Sequence, residues 1–316
     1  MRRTGLQTCA PRRLPWYNFG MKNSATRDAF LAIAAVIAAL IPFLNKAFHI
    51  DDPLFLWMAQ QISQHPADPY GFSVNWYVSA KPMFSVMQNP PLNAYYMALA
   101  AKFLGWSELA MHGAFLVPAV AAVLGTFFLA QRLSGSPLLG ALLVLFTPVF
   151  LVSATTVMCD VWLLALWVWS VACWLRGLER HSYWLLLLAS LLVAAAALTK
   201  YFGVSLVPLL AAYTVARERR LTSRLLFLLI PNAIIGIYEA IAKAKYRVFL
   251  PTQWSIPGKD PSKRASNCRG NFLPGFRSPA VACFPLCSMP PSLNRGRSLL
   301  AESQSSSPFS HHSISG

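Results

Sequence analysis

The sequence predicts an all-α polytopic membrane protein with about seven transmembrane helices. Apolar residues make up 56% of the 316-residue chain and charged residues only 12%, with a mean hydropathy of +0.47. A soluble domain of this length needs more charge to cover its surface. The apolar residues also occur in blocks long enough to cross about 30 Å of hydrocarbon. These observations exclude an ordinary soluble enzyme or binding module.

The net charge of +16 does not indicate a nucleic-acid partner. Lysine and arginine occur in short clusters between the apolar blocks, and this distribution is typical of the cytoplasmic loops of membrane proteins. The six cysteines show no metal-ligand spacing. We therefore predict no nucleic-acid binding, and the cysteines indicate neither a disulfide framework nor a zinc site.

Seven apolar blocks are predicted to cross the membrane. In chain order they are residues 28–48, 111–131, 136–156, 160–176, 183–199, 201–216 and 224–242. The first block could instead be a cleavable signal peptide. Its long basic flank and the lack of a small-residue cleavage site before Asn45 favour an uncleaved anchor.

The positive charges predict the orientation. Six of them precede the first block: Arg2, Arg3, Arg12, Arg13, Lys22 and Arg27. Seven more follow at Arg132, Arg176, Arg180, Arg217, Arg219, Arg220 and Arg224. With seven spans all of these lie on one side, so the sequence predicts a cytoplasmic N-terminus in the inner (plasma) membrane. The cluster of Lys243, Lys245 and Arg247 breaks this rule on the outer side.

The first outer loop, about residues 49–110, is predicted to carry two interfacial helices. Residues 91–106 contain an apolar run of only about ten residues, interrupted by Lys102, which is short of a span. Keeping this segment out of the membrane also keeps the later arginines on one side. A second helix follows Asp51 and Asp52, either of which can cap it, and Pro53 suits its first turn.

Ionisable residues at the membrane boundary are candidates for function because placing them there is costly. On the predicted outer side they are Asp51 and Asp52 after the first span, Asp160 at the start of the fourth, and Lys200 between the fifth and sixth. Glu239 and the cluster at 243–247, which includes Arg247, lie beyond them. Each has a structural alternative. The acids can cap helices, Lys200 can extend to the headgroups, and the cluster around Arg247 can bind anionic lipid.

An ordered set of motifs resembles the first outer loop and the following spans of GT-C glycosyltransferases. The motifs are Asp51-Asp52, Asn89-Pro90-Pro91-Leu92, Tyr95, Phe103-Leu104-Gly105, Met158-Cys159-Asp160 and Leu198-Thr199-Lys200-Tyr201-Phe202-Gly203. The resemblance covers about residues 28–250. It is strongest to the dolichyl-phosphate-mannose-protein mannosyltransferase family and to its bacterial relatives that transfer aminoarabinose or other sugars to lipid A.

The resemblance implies transfer of a sugar from a polyprenyl phosphate to a lipid or protein hydroxyl on the non-cytoplasmic side. It implies Asp51 as the catalytic base, with Asp52 as the second choice. Asn89, Tyr95, Asp160, Lys200 and Arg247 are the expected substrate-binding residues. No cofactor is predicted, and the need for a divalent metal is left open.

The sequence departs from the family at two of these motifs. The family's usual Asp-Glu pair reads Asp51-Asp52 here, and Asn89 stands where the lipid A enzymes often carry lysine. The second departure removes one candidate phosphate contact.

The chain divides into a basic tail at residues 1–27, a transmembrane domain at 28–250 and a Ser- and Pro-rich tail at 258–316. The last segment has no helical or strand period and is predicted to be disordered. Because members of the family normally continue with further spans, the change of pattern suggests the hypothesis of a frameshift or a mis-called gene end. A transporter or flippase is the alternative function, although its expected internal repeat is not seen; an inactive glycosyltransferase remnant is another.

Overall fold

The computed structural model describes residues 21–76 and 79–246. The basic tail before residue 21, Arg247 and the tail at 258–316 therefore lie outside the described residues, and so do the predictions made for them. Within these limits the chain is almost entirely helical.

Helices account for nearly all of the described chain. The α-helices are α1 Met21–Leu40, α2 Asp52–Gln64, α3 Met83–Val86, α4 Leu92–Leu104, α5 Glu108–Leu133, α6 Pro137–Leu145, α7 Pro148–Ala154, α8 Asp160–Arg180, α9 Tyr183–Thr199, α10 Leu206–Glu218 and α11 Leu229–Tyr246. Three 3-10 segments occur at Ile41–Phe43, Tyr201–Ser205 and Ser223–Leu228. A short antiparallel ribbon pairs β1 (Ser73–Val74) with β2 (Lys81–Pro82).

Four helical segments are long and apolar enough to cross a membrane. They are Ala25–Phe43, Glu108–Leu133, Asp160–Arg180 and Ser223–Tyr246. These segments agree with the predicted spans at 28–48, 111–131, 160–176 and 224–242. The multi-pass, all-α class is therefore confirmed. The described residues contain four to five apolar spans, and the predicted count of seven is not confirmed.

The predicted span at 136–156 is broken rather than continuous. Helices α6 and α7 meet at an angle of 65°, so they form a bent span or a re-entrant segment. The bend has a local cause, because proline disfavours helical backbone in the residue before it. Thr147 accordingly has extended backbone, and its hydroxyl caps α7 by accepting a hydrogen bond from the Phe150 N–H.

The two remaining predicted spans are short. Helix α9 is apolar but has 17 residues, and 201–216 divides into the 3-10 segment Tyr201–Ser205 and the 13-residue α10. An α-helix rises about 1.5 Å per residue, so neither reaches about 30 Å by itself.

Helices are present at both of the segments that the sequence predicts to be interfacial. Helix α4 packs Ala94, Met97 and Ala101 inward and leaves Leu99 and Phe103 exposed, Phe103 by 76%. It ends at Gly105, whose φ of 86° is favourable for glycine. Helix α2 packs against α4 and begins after Asp51 with Pro53 in its first turn, but the Asp51 side chain makes no capping bond.

Helices α8 and α9 form an antiparallel hairpin that determines the position of the candidate site. Only His181 and Ser182 separate them, and Gly177 leaves room for Leu186, which a Cβ there would meet at 2.9 Å. The C-terminal end of α9 is therefore next to the N-terminal end of α8. On its other side α8 packs on α5, where the Trp169 indole N–H donates to the Ala121 carbonyl at 2.9 Å.

Candidate active site

Asp52 is buried where the segment after α1 meets the segment between α7 and α8. Its Oδ2 accepts the His49 backbone N–H at 2.7 Å and its Oδ1 accepts the Val157 N–H at 3.2 Å. Burial raises the pKa of this carboxyl, and the two backbone hydrogen bonds and the nearby His112 and His49 offset that effect only in part. Asp52 therefore joins two parts of the chain that are more than one hundred residues apart.

Asp51 differs from its neighbour. Its side chain is half-buried, and its carboxylate accepts no hydrogen bond from the residues that the structure describes. Its backbone N–H donates to His49 Nδ1 at 3.4 Å. Of the two adjacent acids, Asp51 is the one whose oxygens are open to a ligand.

The segment between α7 and α8 connects several elements. Lys46 Nζ donates to the Thr155 carbonyl at 3.4 Å, and Asn93 Nδ2 on α4 donates to the Val157 carbonyl at 3.1 Å. With the bond to Asp52, these contacts hold the residues immediately before Asp160. The first outer loop and the start of α8 therefore lie together.

Asp160 and Lys200 form an ion pair with 2.7 Å between Oδ1 and Nζ. Their side chains are 37% and 34% exposed, so both charges still reach solvent or a ligand. Burial works against the charge on Lys200, but the hydrogen bond and the charge of Asp160 outweigh it and raise the lysine pKa. The amine is therefore cationic at neutral pH.

Asn89 and Tyr95 lie beside this region but are not shown to bind a ligand. The Asn89 carbonyl accepts the Tyr70 hydroxyl at 2.7 Å, and the Tyr95 hydroxyl donates to the Pro66 carbonyl at 2.6 Å. Both contacts position the chain around Tyr70. The substrate-binding roles of Asn89 and Tyr95 therefore stay predictions.

A tyrosine cluster that the sequence did not predict joins α11 to the outer loop. The Tyr70 and Tyr238 hydroxyls are 3.1 Å apart, and Tyr201 donates to Glu239. Tyr70 and Tyr238 also line a cavity of about 230 Å³ beside Tyr95. Tyrosine pairs such as these have no sequence period, because the partners meet only after α11 folds back on the loop.

Asp68 is a further acid in this cluster that sequence reasoning missed. It accepts the Tyr246 hydroxyl at 2.6 Å and pairs with Lys245 Nζ at 3.2 Å. Burial raises the pKa of Asp68, but the bonds from Tyr246 and Lys245 outweigh it and lower the pKa. One member of the cation cluster at 243–247, Lys245, thus has a structural partner.

His112 is a second missed residue. It is buried on α5, its ring stacks on Phe48 with centroids 5.5 Å apart, and its Nδ1 lies 2.9 Å from the Glu108 carbonyl. Its Nε2 has no partner among the described residues. A lone histidine in a span gives no pattern from which its proximity to Asp52 could be predicted.

A metal centre has no obvious ligands in the described part of the chain. No group of three or more His, Cys, Asp or Glu side chains comes together within residues 21–76 and 79–246. The divalent metal that the sequence left open therefore stays untested.

The comparison with known families agrees with the resemblance drawn from the motifs. Residues 88–239 match the family described as dolichyl-phosphate-mannose-protein mannosyltransferase, so the predicted relationship is confirmed. The matched segment contains Asn89, Tyr95, Asp160 and Lys200 and begins after Asp51 and Asp52. No curated protein matches the chain.

Proposed function

Because residues 88–239 belong to the dolichyl-phosphate-mannose-protein mannosyltransferase family of the GT-C superfamily, we propose that this chain is a membrane glycosyltransferase that uses a polyprenyl-phosphate-linked sugar. The acceptor is a hydroxyl group of a protein or lipid on the non-cytoplasmic side. The observation that carries the proposal is that Asp52, the sequence neighbour of the open Asp51 carboxylate, contacts Val157 in the segment Thr155–Asp160, and that the last residue of this segment pairs with Lys200.

Asp51 is the proposed base. Its carboxylate is half-buried and accepts no hydrogen bond from the described residues, so it can accept the proton of an acceptor hydroxyl that attacks the anomeric carbon. Asp52, whose oxygens are already bound by two backbone N–H groups, holds the loop in place. The preference for Asp51 over Asp52 thus has a geometric reason.

Lys200 is the proposed electrostatic partner of the donor. As the bond from the anomeric carbon to the phosphate oxygen breaks, negative charge develops on the departing lipid phosphate, and a fixed cation lowers the energy of that state. Asp160, 2.7 Å from the amine, holds Lys200 in position. Tyr95 and Asn89 are proposed to contact the substrate at the neighbouring cavity, and Arg247 follows α11 in sequence beyond the described residues.

The location of the site suits a lipid-linked donor. The Asp52–Val157 contact and the Asp160–Lys200 pair lie at ends of helices rather than at their centres, where a headgroup can meet an acceptor from outside. A transporter usually needs ionisable groups or broken helices near the bilayer midplane. The break at Thr147 carries no ionisable residue, so it does not favour a transport function.

The decisive experiment measures sugar transfer by membranes containing the chain. The donor is a radiolabelled polyprenyl-phosphate-linked mannose, with the corresponding glucose and aminoarabinose donors in parallel. Asp51→Asn should lower transfer by about 100-fold or more at normal protein levels, because it removes the base. Asp28→Asn, an acid in α1 far from the site along the helix, is the matched control and should retain activity.

Two outcomes would contradict the proposal. Absence of transfer from every polyprenyl-phosphate sugar by a well-folded wild-type chain would reject the glycosyltransferase function. Full transfer by Asp51→Asn would leave the function intact but remove Asp51 as the base.

A further inference from the structure

A second cavity lies at the opposite end of α8 from Asp160. It has a volume of about 660 Å³ and is formed by the last turns of α5 and α8 together with the start of α9. Its size falls within the roughly 300–1,000 Å³ of ordinary ligand pockets. The 21 residues of α8 separate it from the candidate active site by about 30 Å.

The cavity has an excess of positive charge. Arg132, Arg176 and Arg180 line it together with one acid, Glu179. Glu179 is already paired with Arg132 and, at 3.6 Å, with Arg217. Within residues 21–76 and 79–246, Arg176 and Arg180 have no acidic partner.

The remaining walls are apolar and aromatic. Phe128 on α5, Trp169 and Ala172 on α8, and Leu185 on α9 line the space below the arginines. The arginines lie at the ends of two candidate spans, Glu108–Leu133 and Asp160–Arg180, and the ends of a helix that crosses the hydrocarbon core lie among the lipid headgroups. A ligand that fits this arrangement carries an anionic head and an apolar body.

We propose that this cavity binds an anionic phospholipid, with Arg176 and Arg180 holding the phosphate and with Phe128, Trp169 and Leu185 contacting the acyl chains. Basic pockets between transmembrane helices recognise acidic headgroups in this way, and guanidinium groups suit phosphate because their donors form a planar fork. The proposal is independent of the glycosyltransferase function, because it involves the other end of α8.

The positive-inside rule explains why arginines are present at this end of the helices. It does not explain why particular arginines line the cavity. Arg219 and Arg220 are equally exposed and also lack an acidic partner in the described part of the chain, yet they do not line the cavity. A comparison of Arg176 and Arg180 with Arg219 and Arg220 therefore distinguishes a specific binding site from a generally positive surface.

The test uses the full-length chain in a neutral detergent, titrated with phosphatidylglycerol whose acyl chains carry bromine. Bromine quenches nearby indoles, and the difference between wild type and Trp169→Phe isolates the signal from the cavity. Arg176→Gln/Arg180→Gln should weaken binding by about fivefold for each arginine, since a basic residue near an anionic surface contributes about that factor. Arg219→Gln/Arg220→Gln should bind as wild type does.

A second variant keeps the test decisive if the arginine pair is needed for folding. Ala172→Phe retains every charge and fills the cavity, so it should also weaken binding. Equal quenching by brominated phosphatidylcholine, equal losses in the two arginine pairs, or unchanged binding in Ala172→Phe would each overturn the proposal. Displacement of the lipid by millimolar inorganic phosphate would assign the arginines to a free anion instead.

Discussion

Adjacent residues of one type have different environments in this protein. Asp51 and Asp52 are indistinguishable in sequence, but the turn into α2 buries one carboxylate against Val157 and leaves the other half-open. The division of roles between the two acids follows from this difference in burial and hydrogen bonding.

Asp52→Asn should lower the free energy of unfolding and not only the rate of sugar transfer. The amide can accept only through one oxygen, so one of the His49 and Val157 N–H groups is left unpaired in a buried position, at a cost of about 1–3 kcal/mol. Thermal unfolding in detergent measures the change, and Asp51→Asn should show little of it. Equal melting temperatures for wild type and Asp52→Asn would contradict the structural role.

The same pair gives a pH dependence with a definite sign. The pKa of Asp52 is raised above 3.8 in the folded chain, so the folded state holds this proton more tightly than the unfolded state. The stabilisation that this bound proton gives to the folded state is complete below pH 3.8 and is lost as pH rises through the pKa of the folded chain. The stability deficit of Asp52→Asn relative to wild type should therefore shrink as pH rises from about 3.8.

Lys200→Met should strongly lower sugar transfer and only slightly lower the stability of the fold. The partners of this ion pair are about one-third exposed, and such pairs contribute about 1 kcal/mol or less. Loss of a cation that stabilises the leaving phosphate should lower transfer by about 100-fold or more. Lys200→Arg, which keeps the charge, should recover part of the activity. A large fall in melting temperature with unchanged transfer would contradict this assignment.

At the scale of elements, the hairpin of α8 and α9 and the 3-10 segment after it bring Lys200 to Asp160. Periodicity and composition predicted both helices, because continuous apolar runs are visible in one sequence. The break between α6 and α7 and the short α10 were not predicted as such. The bend between α6 and α7 depends on the Thr147-Pro148 step, and the shortness of α10 depends on the tertiary partners of Tyr201–Ser205.

Gly203→Ala should disrupt this element. A Cβ at Gly203 would lie 2.4 Å from the Ala196 carbonyl carbon and the Ala197 nitrogen, which are backbone atoms that cannot move aside. The segment after α9 must then shift, and Lys200 with it. We expect lower stability and loss of transfer. Gly113→Ala and Gly236→Ala, where a Cβ meets nothing within 4 Å, are controls that should behave as wild type.

At the scale of the whole molecule, the candidate site and the arginine-lined cavity lie at opposite ends of the helices. The 21 residues of α8 correspond to about 30 Å, which matches the hydrocarbon core of a bilayer. This geometry agrees with the positive-inside distribution, in which the arginines at the C-terminal ends of α5, α8 and α10 are on one side.

Cysteine labelling tests the predicted orientation. In a chain whose six native cysteines are replaced by alanine, Ile50→Cys should react with a membrane-impermeant maleimide added to intact cells. Leu221→Cys should react only after permeabilisation. Both positions are accessible, with side chains 74% and 83% exposed. Labelling of Leu221→Cys in intact cells, or protection of Ile50→Cys, would reverse or reject the predicted topology.

The sequence by itself determined the membrane class, the main apolar helices, the helix at Leu92–Leu104 and the family that residues 88–239 match. These features depend on composition, periodicity and short motifs, which are local. Only the tertiary structure decided that Asp52 is buried while Asp51 is open and that Lys200 pairs with Asp160. It also decided that His112 lies near Asp52 and that Asp68 and Tyr70 contact residues of α11. Those relations depend on contacts between residues far apart in the chain, and no local pattern specifies which distant side chains will meet.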